Sequence, residues 1–191
     1  MDVIKTGFEG LFIIEPKVFG DERGYFMESF NQREFEKNTG AEYDFVQDNE
    51  SLSKRGILRG LHFQVAPHAQ GKLIRVVNGA VLDVCVDLRP DQPTLGQHIK
   101  VELTGPNKRM LFVPPGFAHG FVTLQDNTLF QYKCTGYYHP ESERTLMWND
   151  TTLGIDWGIA DPILSEKDQR GLPLSEVLAS EPFKATTAND R

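Results

Sequence analysis

The chain has 191 residues, a formal net charge of −7, 39% hydrophobic residues and 25% charged residues. A chain of that size buries roughly 70% of its unfolded surface on folding, and its composition is that of an ordinary globular protein organised as one domain over residues 1–191. The scattered basic residues argue against a nucleic-acid surface, no apolar run approaches the ~20 residues of a membrane span, and MDVIKTGFEG lacks the basic-then-apolar pattern of a secretory leader. The two cysteines, Cys85 and Cys134, lie within strand-like runs. They read as buried free thiols in a reducing compartment, so a cytoplasmic location is expected.

Leu11–Ile14 reads as a short apolar strand that Pro16 closes, and Gly20–Gly24 as a turn. Tyr25–Phe30 reads as a further strand with Phe26, Glu28 and Phe30 on one face. Asn31 caps a short helix over the following residues. The polar run Gln47-Asp48-Asn49 offers side-chain amides that either read a base edge or cap a turn. Leu58–Gln64 alternates, placing His62 with Leu58, Gly60 and Gln64 and leaving Arg59 on the opposite face. Arg59 and His62 share a pocket only if Gly60 marks a bulge. From Arg59 to Lys72 the chain carries a guanidinium, an imidazole and an ammonium. This stretch reads either as a core histidine between solvated charges or as a site.

Lys72–Val77 and Ala80–Leu88, joined by Asn78-Gly79, read as a hairpin on a two-residue type I′ turn. Its register sets Lys72 opposite Cys85 and makes Lys72 and Asp83 diagonal neighbours. Gly96–Leu103, Met110–Val113 and Thr128–Cys134 are further strands, the last with Tyr132 on the same face as Phe130. Between them the corner Pro114-Pro115-Gly116 delivers His119. The alternation fades after Gly136, the polar segment from Pro162 to Gly171 folds back over an opening, and Thr186–Arg191 frays.

Many short strands, frequent Gly and Pro turns and little helix describe a mainly β protein. A cupin-type jelly-roll antiparallel sandwich with a few short helices fits. Pro114-x-Gly116-x-x-His119 resembles the second cupin motif. The His-x-His of metal-binding cupins is absent, because its second position is occupied by Gln64.

Taken together, Phe19–Glu28, Gln47–Asn49, Gly56–Gln64, Gly71–Val76, Asp83–Arg89, Pro114–Phe121, Tyr132 and Leu164–Asp168 resemble the dTDP-4-dehydrorhamnose 3,5-epimerase family along nearly the whole chain. The resemblance implies a metal-free and cofactor-free isomerase that acts on a dTDP-4-keto-6-deoxy sugar. It also implies a homodimer whose subunits help form each other's sites. By resemblance His62 is the base, Asp168 orients it with Asp83 as a competing partner, Lys72 holds the enolate oxygen and Tyr132 is the acid. Arg23 and Arg59 match positions that hold the diphosphate, and His119 one that binds the sugar. Glu28, Gln47 and Asn49 match positions around the nucleotide, joined by Glu143 and Lys167, and Tyr138 one that stacks on thymine. Alternatives are an epimerase or ketoisomerase acting at a single carbon, a metal-dependent cupin, or a sugar-binding cupin without catalysis.

Overall fold

The computed structural model describes residues 1–180; the expected fraying of Thr186–Arg191 lies outside these. Four short strands come first, β1 (Asp2–Lys5), β2 (Phe12–Glu15), β3 (Val18–Asp21) and β4 (Gly24–Met27), followed by helix α1 (Gln32–Thr39). The chain continues through β5 (Gln47–Ser53), β6 (Leu58–Gln64), β7 (Lys72–Asn78), β8 (Ala80–Asp87), β9 (His98–Thr104) and β10 (Met110–Val113). The strands β11 (Phe117–Thr123), β12 (Thr128–Cys134) and β13 (Glu143–Thr145) and helix α2 (Leu174–Ser180) complete it, with single 3-10 turns at Pro140–Ser142 and Asp168–Arg170. A six-stranded antiparallel sheet, β1-β2-β10-β7-β12-β5, faces a five-stranded one, β13-β6-β11-β8-β9. This is the sandwich expected from the sequence. Ile74, Val76 and Phe130 of the first sheet pack against Val81, Cys85 and Phe121 of the second, and the Phe121 and Phe130 rings stack with centroids 3.9 Å apart.

Helix α1 forms where the sequence places it. The Asn31 side chain accepts a hydrogen bond from the Glu34 N–H, and Gly40, in the left-handed region, closes the helix by donating to the Glu36 carbonyl. Its one buried residue, Phe35, covers the outer face of the six-stranded sheet against Phe112.

The expected hairpin across Asn78-Gly79 does not form. β7 pairs with β10 and β12, whereas β8 pairs with β9 and β11. A type I′ turn needs positive φ at both central residues. Gly79 has φ 81°, but the only non-glycine residues with positive φ among those described are Lys108 and Asn127. Asn78-Gly79 is therefore a corner carrying the chain from one sheet to the other, and both runs are apolar enough to be bordered by two neighbours each. Lys72 lies opposite Cys134, and Ile74 opposite Tyr132. The Lys72–Asp83 relationship is one across the sandwich, not along a ladder. The strand expected over Tyr25–Phe30 also stops early, at Met27, and Phe30 turns inward onto Phe35 and Phe45.

Two features position the site. In the β6–β11 pairing, His62 faces His119 and Arg59 faces Phe121, so Gly60 and Leu61 together oppose Gly120 alone. This is the bulge on which the shared pocket depends. Gly60 has φ 121°, and a Cβ there would lie 2.5 Å from the Gly120 Cα and 2.8 Å from the His119 carbonyl oxygen. The second feature is the segment 163–172, held by parallel bridges Ile57–Ile163 and Leu146–Leu172. Asp168 lies between these two attachments.

Gly60→Ala combines a disfavoured φ with a backbone clash, and is expected to destabilise the protein by about 3 kcal/mol or more. Gly154→Ala, at φ 57° with open space around it, is expected to cost only about 1 kcal/mol. Urea unfolding of the two variants checks the contrast.

Candidate active site

A cavity of about 510 Å³ opens between the sheets, lined by His62, Arg59 and His119 from one and by Lys72, Tyr132, Gln47 and Asn49 from the other. Glu143 of β13 and Tyr138, Lys167 and Asp168 from connecting segments complete its lining. The bulge at Gly60 brings Arg59 and His62 to the same opening.

His62 Nε2 lies 2.6 Å from Asp168 Oδ1. The Gly60 N–H donates to the same oxygen at 3.2 Å, and the Ser165 hydroxyl donates to Oδ2 at 2.7 Å. Burial pushes the Asp168 carboxyl up, but these donors outweigh it and hold the group below the usual carboxylate range. An ionised Asp168 fixes the neutral His62 tautomer with the proton on Nε2, leaving the lone pair on Nδ1. Burial also lowers the His62 pKa, more than the Asp168 hydrogen bond raises it, with Lys167 and Lys72 adding to the depression. The imidazole is thus neutral near pH 7, as a base must be. Sequence reading did not assign Ser165, although its hydroxyl three residues before Asp168 is a recognisable local bonding pattern.

Asp83 does not contact His62. It is fully buried and takes His119 Nε2 at 2.9 and 3.0 Å on its two carboxylate oxygens. The structure therefore holds two separate His–Asp pairs, whose histidines lie on the neighbouring strands β6 and β11 of one sheet. Facing them, Lys72 Nζ lies 6.0 Å from the centre of the Tyr132 ring. Burial lowers the Lys72 pKa, against the pull of Cys134, Cys85, Glu143 and Asp83. No carboxylate among the described residues lies within 4.0 Å of its ammonium, so that charge is free to meet a ligand. Burial pushes the Tyr132 hydroxyl up to about 12, which keeps its proton in place.

At the rim, the Arg59 guanidinium donates to the Ser53 hydroxyl at 3.2 and 3.3 Å. Gln47 and Asn49 belong to β5, which sequence reading left as a turn or recognition loop. Their side chains alternate inward and bond each other at 3.1 Å. The Tyr138 hydroxyl and the Lys167 ammonium each donate to Glu143, at 3.0 and 2.9 Å. Burial opposes the charged form of Glu143, but Lys167, together with His62 and Tyr138, keeps the carboxyl below its usual range.

Arg23 and Glu28 are not brought to this cavity. Arg23 sits at the turn of the β3–β4 ribbon, paired with Asp21, and Glu28 accepts from Asn31 just beyond it. At the position of a second cupin histidine, the Gln64 carboxamide is bonded to main-chain groups of two loops.

The family model described as dTDP-4-dehydrorhamnose 3,5-epimerase matches residues 5–176. The dTDP-4-dehydrorhamnose 3,5-epimerase of Salmonella typhimurium is 52% identical over 182 residues, covering 95% of this chain and 100% of that one. The Shigella flexneri enzyme of the same name is 52% identical over 171 residues, covering 90% and 94%. The crystal structure of a Legionella pneumophila dTDP-6-deoxy-D-glucose-3,5-epimerase in complex with dTDP-4-keto-L-rhamnose superposes with a TM-score of 0.89 at 48% identity, covering 93% of this chain and 95% of that one. With the family model matching almost the whole described chain and relatives at half identity over full length, this protein belongs to the dTDP-4-dehydrorhamnose 3,5-epimerase family.

Proposed function

We propose that the protein epimerises carbons 3 and 5 of dTDP-4-dehydro-6-deoxy-D-glucose to give dTDP-4-dehydro-L-rhamnose, in the cytoplasm and without a metal. The observation that carries this reading is the opposition of two walls. A base held by a carboxylate, His62–Asp168, stands on one sheet, and a protonated Tyr132 beside a buried ammonium, Lys72, on the other. Epimerisation beside a carbonyl needs a base on one face, an acid on the other and a donor for the enolate oxygen.

His62 Nδ1 removes the proton from the carbon next to the keto group, and the electron pair moves onto the carbonyl oxygen, where Lys72 stabilises it. Asp168 steadies the imidazolium that results. The enolate collapses as Tyr132 gives its proton to the opposite face of the same carbon. Solvent then takes the proton from His62 and restores that of Tyr132, after which the second carbon follows the same course. His119, held by Asp83, hydrogen-bonds the sugar. Arg59 meets the diphosphate, Gln47 and Asn49 the nucleoside, Glu143 and Lys167 the rim of the nucleotide, and Tyr138 lies against the base. The two buried free thiols, Cys85 and Cys134, support a reducing cytoplasm.

The working form is a homodimer. Phe19, Tyr25 and Phe26 on the β3–β4 ribbon are 64%, 58% and 67% exposed, an apolar display that marks an interaction surface. Arg23 and Glu28 ride on the same arm and reach the nucleotide in the other subunit's cavity.

In D2O with the keto sugar, the enzyme is expected to introduce two deuterons, at carbons 3 and 5, and His62→Asn none above the no-enzyme blank, as read by mass spectrometry. A single deuteron would instead mark a one-carbon epimerase or ketoisomerase. The acid limb of kcat/KM is expected below the ordinary histidine pKa of about 6.5, because burial favours the neutral base. Asp168→Asn removes the interaction that raises the His62 pKa, so its limb moves lower still while kcat falls about a hundredfold or more. The pH–rate profiles of both proteins check this. Mixing His62→Asn with Arg23→Ala subunits should restore about one quarter of wild-type activity, since half the dimers are mixed and each then holds one intact site. No recovery would place Arg23 in its own chain's site.

A further inference from the structure

Gln64 is the motif residue that the proposed chemistry leaves without a task. It lies two residues beyond His62 on β6, is 8% exposed, and touches no group assigned to proton transfer. Its carboxamide nevertheless has a specific pattern of partners. Oε1 accepts from the His139 N–H at 2.7 Å, while Nε2 donates to the Tyr137 carbonyl at 3.4 Å and to the His68 carbonyl at 2.6 Å. The residue between Tyr137 and His139 is Tyr138. The side-chain amide therefore grips the main chain immediately before and immediately after Tyr138, as a neighbouring strand would.

The other restraints converge on the same residue. The Tyr138 N–H donates to Gln47 Oε1 at 3.0 Å, and its hydroxyl donates to Glu143. Behind the loop, the His68 and His139 rings stack 3.7 Å apart and 4° from parallel, while Gln70 donates to the Gly136 carbonyl at 2.6 Å. Tyr138 is itself 50% exposed with no regular secondary structure of its own. An exposed loop aromatic keeps a defined position only if its backbone is held, and preorganising it lowers the ordering cost of binding.

We propose that Gln64 is a positioning residue: by bracketing Tyr138 it sets where that ring meets the nucleoside of the substrate. This rests on the reading of Tyr138 as the surface for the base. A histidine at position 64 presents no carboxamide to match a carbonyl and an N–H at once, so the residue that departs from the metal-cupin motif has been turned to a recognition task.

The test is a double-mutant cycle read by calorimetric binding of dTDP, with kcat and KM measured alongside. Tyr138→Ala is expected to weaken dTDP about tenfold, within the range of a base–aromatic stack. Gln64→Met should weaken it by about threefold or more, with the loss falling on KM rather than kcat. Gln64→Met in the Tyr138→Ala background should add nothing, because residues acting through one another are not additive. Should Gln64→Met fail to fold, Gln64→Glu, which keeps the acceptor for His139 and loses the donor to Tyr137 and His68, takes its place in the cycle. Wild-type dTDP affinity in a folded Gln64 variant, or a loss that adds fully to that of Tyr138→Ala, overturns the inference while leaving the base-binding reading intact. Unchanged dTDP affinity in Tyr138→Ala overturns that reading and the inference with it.

Discussion

The site depends on a close contact between two glycines. Gly60 and Gly120 meet where a side chain on either would run into the other's backbone, and that proximity lets β6 carry one more residue than β11 across the same span. Without the bulge, Arg59 and His62 would point to opposite faces of the sheet, by the strict alternation of strands. With it, both reach the cavity and the Gly60 N–H turns toward Asp168. A local irregularity of backbone thus brings the Arg59 guanidinium, the His62 imidazole and the Asp168 carboxylate to one opening.

The sandwich supplies what the bulge cannot. Because β6 and β11 belong to one sheet and β7 and β12 to the other, the histidines and the Lys72–Tyr132 pair line the cavity from opposite sheets. Burial then acts differently on each group. It keeps His62 neutral and Tyr132 protonated, and lowers the Lys72 pKa in a wall where, among the described residues, no carboxylate pairs with the ammonium. One low-dielectric cavity therefore holds a neutral imidazole, a protonated phenol and a lysine of lowered pKa side by side.

Much of this was legible in the amino-acid order. Most strands between Leu58 and Cys134 follow from their apolar patterning, and the Asn31 cap from its side-chain chemistry. But β11, buried along its whole length, shows no alternation and reads in the sequence only as the corner that delivers His119. Gly60 could be named as the deciding position but not decided, because a bulge is a relation between two strands and only one was in view. The Asn78-Gly79 corner misled for a related reason: its dipeptide favours a hairpin locally, while two apolar strands with two neighbours each prevail in the packed sandwich. β5 escaped notice because its inward residues, Gln47, Asn49, Ser51 and Ser53, are polar. Gln47, Asn49 and Ser51 line a cavity, so the hydrophobic pattern that betrays a strand is missing. The division of Asp168 to His62 and Asp83 to His119 is a matter of distances that no spacing along the chain encodes.

Asp168 reaches His62 from 106 residues further along the chain, on a segment fastened by two short bridges rather than woven into either sheet. Segments with so few backbone attachments open at lower free energy than the strands they rest on. The hold of Asp168 on His62 is therefore expected to be less stable than the fold around it. Mild denaturant or heat is thus expected to loosen the segment that carries Asp168 before the β-sandwich beneath it gives way.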